Sequence, residues 1–421
     1  MEFTNGVLQL GGVSATELIE HYGSPLYVYE TDIIERQVQR LTEAFSAINP
    51  RLFYAMKANS NLEILRLVKD HGFGCDAVSP GEIFLARHAG FSGPDIWFTC
   101  SNVSDDDLLS IGDEHIIVNV NSMSELDRCL RLGIRNRLAL RLNPIIGAGH
   151  HRDVVTAGMG VKFGFDIAEL QTAREIAECS DMRIVGLHAH IGSGVADITP
   201  LVEAAQTVIR EAKPFRALEW VNFGGGLSVP YRPDEREFPL QELAAALHST
   251  VGKDLFDRGL RAILEPGRFV VAQSGVLLTT VTSKRISGGQ WWVGCDTGFN
   301  HLVRPSKYGA YHHIINASRG DDSHLRASWS PDGPMEDVIV AGNLCESGDV
   351  FTRASDQIET RPVARVAIDD ILAICDAGAY GFSMASIYNA RLLPPEVLVS
   401  GGNARLVRRR QAIEGLLVDQ V

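Results

Sequence analysis

Two hydrophobic rhythms alternate along the first two thirds of the chain. Short apolar runs occur at Leu52–Met56, Phe73–Val78, Asp95–Cys100, His115–Val120, Arg137–Leu142, Arg183–His188, Glu219–Phe223 and Arg261–Leu264. Between them, in Asn61–Asp70, Gly81–Ala89, Ser122–Leu132 and Asp166–Cys179 among others, apolar residues recur every three or four positions. The first rhythm predicts strands and the second amphipathic helices. Thr31, Ser122 and Asp166 stand where helix N-caps belong, because their side-chain oxygens can accept from the free N–H groups of a first turn. Eight strand–helix units in series predict an α/β chain built on a closed (β/α)8 barrel over residues 25–273. An open doubly wound sheet is the alternative, and eight units in this length favour closure.

After Ser274 the helical rhythm fades. Gly275–Ile286, Gln290–Cys295, Asp337–Ala341, Ala364–Cys375 and Glu396–Arg408 read as strands. They predict a C-terminal β-rich domain, a β-barrel or sandwich, made of residues 1–24 plus 274–421. Gly6–Gly11 and Leu26–Tyr29 precede the barrel and are candidates to join that domain as further strands.

Composition narrows the function. The 421 residues carry 39 basic and 52 acidic side chains, a net charge of −13. An acidic chain whose one dense basic run is Arg408-Arg409-Arg410 is a poor partner for nucleic acid or an anionic membrane. Apolar stretches such as Val270–Leu278 are too short to span a bilayer. Met-Glu-Phe-Thr-Asn-Gly at the start has neither a charged n-region nor an apolar h-region, so no signal peptide is expected. Seven scattered cysteines without a CxxC pair suggest neither a metal site nor a disulfide framework, and a cytoplasmic protein is expected.

Barrel enzymes carry their chemistry at the C-terminal ends of the strands. At those ends stand Lys57, Cys75 with Asp76, Arg141 with Asn143, His188-Ala-His190-Ile-Gly-Ser193, Gly224-Gly225-Gly226 and Glu265-Pro266-Gly267-Arg268. Singly, each has an ordinary reading: a surface lysine, a tight turn, a hydrogen-bonded structural histidine. Their joint occurrence at one end of successive strands is what those readings fail to predict. Glycines after the last two strands form a common barrel phosphate site, where bare N–H groups approach an anion. Arg268 adds a fork-shaped cation. Glu265 can pair with a protonated ring nitrogen, His190 can stack on a ring face, and Lys57 can form a Schiff base. A cofactor with a phosphate, a pyridinium and an aldehyde unites these groups.

The motifs resemble those of the fold-type III pyridoxal-phosphate decarboxylases, which join an alanine-racemase-like barrel to a β domain. Within that group the chain is similar to the diaminopimelate decarboxylase family. The likeness runs through Tyr-Ala-Met-Lys57-Ala, His188-Ala-His-Ile-Gly-Ser-Gly194, Phe-Gly-Gly-Gly-Leu-Ser-Val-Pro-Tyr231, Leu-Glu-Pro-Gly-Arg268, Arg304-Pro-Ser-Lys-Tyr308, Cys345-Glu-Ser-Gly-Asp349 and Asp376-Ala-Gly-Ala-Tyr380. Seven motifs in order across nearly the whole chain are specific where each alone is weak.

The resemblance implies pyridoxal 5′-phosphate as cofactor and no metal. It implies decarboxylation of meso-2,6-diaminopimelate at its D-centre to L-lysine, through an aldimine and a quinonoid, as the last step of bacterial lysine synthesis. Lys57, Cys345 and His190 are the implied catalytic residues, with Cys345 as the acid. Lys57, Asp76, His190, Ser193, Gly225, Gly226, Glu265, Gly267, Arg268 and Tyr380 are the implied cofactor residues. Arg268, Arg304, Tyr308, Glu346 and Tyr380 are implied to bind substrate, with Glu346 reading the distal amine. In this family Cys345 and Glu346 serve the neighbouring subunit's site, which implies a homodimer. Gly147–Gly164 matches the family less closely than the motifs do, Asn343 stands where proline is expected, and Ser306-Lys307 replaces a small apolar pair. A paralogue acting on another amino acid therefore stands as the alternative.

Overall fold

The computed structural model describes residues 1–99, 101–112, 115–135, 137–330, 334–355 and 357–421. Its chain divides into two compact units. One holds Gln37–Val229 and Phe238–Val270; the other holds Met1–Arg36, Pro230–Glu237 and Val271–Val421.

The first unit is a closed barrel of parallel strands: Arg51–Ala55, Gly74–Ala77, Ile96–Thr99, Ile117–Val120, Leu138–Arg141, Ile184–His188, Trp220–Asn222 and Arg261–Leu264. Each expected apolar run overlaps one of them, the first strand beginning one residue before its run, at Arg51; Cys100, the last residue of the third run, lies outside the described residues. Helices follow the strands, and their starts are written in the sequence. Ser79, Ser122 and Asp166 accept from the backbone N–H of Glu82, Glu125 and Glu169, and Asp166 completes a capping box with Glu169. Each such cap stabilises its helix by about 1 kcal/mol. Thr31 differs from the expectation. It is the first residue of helix Thr31–Ala44, and its hydroxyl donates to Val399 O and Asp32 Oδ1.

Strand side chains alternate between faces, so residues two apart share one. Phe53, Trp97, Ile117, Ala139, Trp220 and Ile263 pack as one buried cluster. Gly74 and Gly186 belong to the same layer: a Cβ at Gly74 would lie 2.6 Å from the Phe53 ring, and one at Gly186 would lie 2.9 Å from the Trp97 ring. Two positions further along the strands come Asp76, Thr99, Asn119, Arg141, His188, Asn222 and Glu265, all buried. An apolar plug thus floors a ring of polar groups at the C-terminal end of the barrel.

The second unit is built on a sheet in the order Arg361–Ala364, Met335–Ala341, Gln290–Cys295, Gly275–Ser287, Leu26–Glu30, Glu396–Ser400, Asn403–Arg408. Ile371–Ile374 also pairs with Gly275–Ser287, and Ile314–Asn316 pairs with it in turn. Leu26–Glu30 is a central strand here, hydrogen-bonded on one side to Gly275–Leu278 and on the other to Glu396–Val399. The chain therefore divides near Arg36 rather than at the residue 25 expected from sequence. Val7–Leu10 forms a small sheet with its neighbours and contributes Leu8 and Leu10 to this unit's core.

Two expected strands are corrected. Ala364–Cys375 is two strands, Arg361–Ala364 and Ile371–Ile374, separated where Asp369 takes φ +70° and the Asp370 carboxylate accepts from Ala367 N. Glu396–Arg408 is a hairpin, folded back at Gly401 and Gly402 with φ +52° and +77°. Glycine occupies such backbone conformations at little cost.

Candidate active site

The barrel unit gathers its expected site residues at one end. Lys57 lies on a single turn, Met56–Ala58, just past the first strand, and its Nζ is 2.7 Å from Asp76 Oδ2. Asp76 is fully buried and lies on the second strand. Burial pushes its carboxyl pKa up, against the downward pull of Lys57. Its Oδ1 is buried without a hydrogen-bond partner.

Glu265, one residue past the last strand, is the opposite case. Burial alone would raise its pKa, but the neighbouring His188 ring and then the Lys57 ammonium outweigh burial and hold the carboxyl ionised. Asn222 Nδ2 donates to Glu265 Oε1 at 2.6 Å, and His188 Nε2 lies 3.3 Å from Oε2.

The glycine turn closes this end. Gly225 N donates to His190 Nδ1 at 3.1 Å, so the hydrogen of a neutral His190 sits on Nε2. Burial first, and then Lys57 and Arg141, push the His190 pKa well below the ordinary histidine range. A Cβ at Gly225 would lie 2.0 Å from Glu265 O, and one at Gly226 would lie 2.4 Å from Gly192 O. No side chain fits at either position. Ser193 Oγ accepts from Arg268 Nη2 at 3.0 Å. Gly267 precedes Arg268, and a Cβ there would approach Ala55 O to 2.9 Å. A cation, a hydroxyl and a bare backbone turn therefore stand at the strand ends that carry Lys57 and Glu265.

Sequence reasoning missed Thr99, Asn119 and Asn222, and gave His188 no role. Thr99 lies beside Asp76 and pulls its carboxyl pKa down. Asn119 Nδ2 reaches Thr99 Oγ1 at 3.3 Å and His188 Nδ1 at 2.7 Å. Asn222 Oδ1 accepts from Gly224 N at 2.9 Å. Hydrogen bonds thus link Lys57 to Asp76, Thr99 through Asn119 to His188, and Glu265 through Asn222 to Gly224, with His188 beside Glu265 inside the barrel.

The other expected residues lie in the β unit. Arg304 opens the short helix Arg304–Tyr308 and is 1% exposed. Its Nη1 bonds His312 Nε2 at 2.9 Å, and its guanidinium lies 4.6 Å from the Tyr231 ring centroid. Tyr308 ends that helix, beside the Lys307 ammonium. Tyr380 is half-buried and takes φ +57°.

Cys345 and Glu346 are exposed on a turn. The turn is held by Asp349, a residue of the motif to which sequence reasoning gave no role. Its side chain accepts from Phe299 N at 2.6 Å and Leu344 N at 2.8 Å, and its carbonyl accepts from Gly342 N. Cys345 N donates to Asn389 Oδ1 at 2.9 Å, and the neighbouring Glu346 carboxylate pushes the Tyr388 phenol pKa up. Two departures from the family pattern tie this turn down. Asn343 N and Nδ2 donate to Thr297 O and Asp296 O, and Ser306 Oγ donates to Gly348 O. Proline at position 343 would lack both donors.

Among the described residues no helix is long and apolar enough to cross a membrane, and no cluster of ligands suits a metal ion.

Residues 31–272 match the family model of the pyridoxal-dependent decarboxylase, pyridoxal binding domain. The diaminopimelate decarboxylase of Methanothermobacter thermautotrophicus is 40% identical over 427 residues, covering 99% of this chain and 96% of that one. The enzyme of that name from Escherichia coli K12 is 40% identical over 405 residues, covering 94% and 93%. The crystal structure of diaminopimelate decarboxylase from Methanocaldococcus jannaschii in complex with L-lysine superposes with a TM-score of 0.88 at 34% identity, covering 100% of this chain and 97% of that one. With the barrel, its polar ring and the second-unit motifs in place, this chain belongs to the diaminopimelate decarboxylase branch of the pyridoxal-dependent decarboxylases.

Proposed function

We propose that the chain removes carbon dioxide from the D-centre of meso-2,6-diaminopimelate to give L-lysine, with pyridoxal 5′-phosphate as cofactor. The observation that carries this reading is the pairing of Lys57 with buried Asp76 in the same ring that keeps Glu265 ionised. Full-length relatedness to enzymes of that name supports it.

The residues present fit the cofactor. The turn at Gly225 and Gly226 has no room for a Cβ, and Arg268 and Ser193 stand at the same barrel end as donors for a phosphate. Gly267 and Tyr380 are among the cofactor residues in this reading. Glu265 would accept the hydrogen of a pyridinium nitrogen, His190 would cover the ring, and Lys57 would provide the amine. When bound, the cofactor supplies an electron sink for the pair left by the departing carboxylate.

The chain's own groups do the rest. Asp76 orients the Lys57 amine. Neutral His190 adds no third positive charge beside Lys57 and Arg141. Arg304, steered by His312 and Tyr231, binds a distal carboxylate, and the family likeness adds Arg268, Tyr308 and Tyr380 to the substrate-binding residues. Glu346 accepts from the distal ammonium, which a substrate with two amino-acid heads requires. The Cys345 thiol donates the proton that replaces the carboxylate. Cys345 and Glu346 serve the site of a second copy in a homodimer, a role supported by their exposure on this chain. The working compartment in this reading is the cytoplasm.

Purified protein supplied with pyridoxal phosphate is incubated separately with meso-diaminopimelate, lysine, ornithine and arginine, and carbon dioxide is measured. Release from meso-diaminopimelate with formation of L-lysine is expected. Release only from another of the four contradicts the assignment.

A further inference from the structure

Among the ring groups that the proposed chemistry leaves unused, His188 stands nearest Glu265 Oε2. His188 is completely buried at the end of its strand, and its two ring nitrogens face different partners. Nδ1 is 2.7 Å from Asn119 Nδ2, and Nε2 is 3.3 Å from Glu265 Oε2. A carboxylate that is ionised can only accept, so Nε2 must carry a hydrogen. Asn119 as placed donates to Nδ1, which leaves the ring neutral with its hydrogen on Nε2. Reversing the amide would put a hydrogen on both nitrogens and still leave Nε2–H towards Glu265. In either orientation the imidazole presents a donor to the same oxygen.

That oxygen matters because Glu265 is clamped from two sides. Asn222 fixes Oε1 at 2.6 Å, and His188 is the neighbour of Oε2. A carboxylate with one fixed oxygen can still rotate about its last bond; a second donor removes that freedom. The 3.3 Å separation is long, and the N–H is poorly aligned, for a hydrogen bond. Contacts of this kind in reactive sites commonly tighten when the site fills. Asn119 prevents the imidazole from turning away, and Thr99 and the strand backbone on either side hold Asn119.

We propose that His188, held by Asn119, is a positioning residue that sets the orientation and charge of Glu265 toward the cofactor's ring nitrogen. It touches neither substrate nor cofactor and acts through Glu265. The proposal rests on the reading of Glu265 as the pyridinium partner.

Glutamine and asparagine separate the two faces of the imidazole. The amide of glutamine at 188 places its N–H near the position of Nε2, whereas that of asparagine places it near Nδ1. His188→Gln therefore keeps the donor to Glu265, and His188→Asn loses it. The measurements are the dissociation constant of pyridoxal phosphate from each variant, the melting temperature of each without cofactor, and kcat and KM for meso-diaminopimelate. His188→Ala and His188→Asn are expected to bind the cofactor about 10- to 100-fold more weakly, the range for losing a hydrogen bond to a charged group. Their kcat falls at saturating cofactor while KM stays near the wild-type value. His188→Gln recovers most of both losses. A purely structural histidine would lower the melting temperature alike in all three and would show no rescue by glutamine.

Equal cofactor affinity and equal kcat in the asparagine and glutamine variants overturn the proposal, and that comparison stands even where the alanine variant fails to fold. If the wild-type protein itself binds no pyridoxal phosphate, the functional reading fails instead, and the two failures are told apart by that first titration.

Discussion

The barrel ring and the Cys345–Asp349 turn solve the same problem in opposite ways. In the ring, buried side chains hold other side chains: Asp76 the half-exposed Lys57, Asn119 the buried His188, Asn222 the buried Glu265. In the turn, the buried Asp349 carboxylate holds backbone, and the side chains of Cys345 and Glu346 are left at the surface. The ring sets charge and orientation in a dry environment, where an unpaired group is costly. The turn sets only where the chain passes. Groups that hold a cofactor call for the first arrangement, and groups that meet a substrate arriving from solvent call for the second.

Single substitutions should break this contrast in a graded way. The largest effect is expected at Lys57. Lys57→Ala should remove the visible absorbance of the cofactor-loaded protein and lower turnover by at least about 10⁴-fold, as deletion of other covalent catalysts does. Residual turnover near wild type would place the covalent amine elsewhere. Cys345→Ala should leave cofactor absorbance intact and slow turnover about 10²- to 10⁴-fold, the usual contribution of a positioned acid. Loss of absorbance in that variant would mean that the turn supports the cofactor site as well.

The two units also contain groups with opposite pH signatures. In the β unit, burial pushes His301 and His313 down to about 4 from an ordinary 6.5. A depressed histidine contributes stability that is present above 6.5 and lost as pH falls toward 4, up to about 3 kcal/mol for each. In the barrel unit, burial pushes Glu82 up to about 7 from 4.5. A raised carboxyl contributes stability that is present below 4.5 and lost as pH rises toward 7. Melting midpoints measured across pH 4–7 should therefore respond oppositely: His313→Gln removes part of the acid loss, and Glu82→Gln removes part of the loss on rising pH. Parallel changes in the two variants would contradict the burial argument. The smallest effect is expected for Glu346→Asp. It should lower kcat/KM for meso-diaminopimelate by up to about 10²-fold with cofactor binding unchanged, because the charge is drawn back from the distal amine.

Much of the barrel was legible because each strand is a short apolar run with a reactive residue at its end. Lys57, Asp76, Glu265 and the Gly224–Gly226 turn stood out for that reason. Thr99, Asn119 and Asn222 did not, because a polar residue at a strand end also reads as the start of a loop. The signal was present at a spacing of two: Trp97 to Thr99, Ile117 to Asn119, Trp220 to Asn222, each a step up the inward face from the apolar plug. The hairpin within Glu396–Arg408 was marked by Ser400-Gly401-Gly402-Asn403, a turn signature that a continuous strand cannot accommodate. The central place of Leu26–Glu30 in the second unit was less legible, since strand pairing over 240 residues of intervening sequence leaves no local trace. Asp349 was hidden for a related reason: its partners are backbone N–H groups, which no residue type announces.

The central claim is that Lys57 is the covalent anchor of the cofactor at the mouth of the polar ring. Protein loaded with pyridoxal phosphate is reduced with borohydride, digested, and mapped by mass spectrometry. The account predicts a pyridoxyl group on Lys57 at close to one per chain, absent from Lys57→Ala; a label on another lysine, or no stable label, would contradict it.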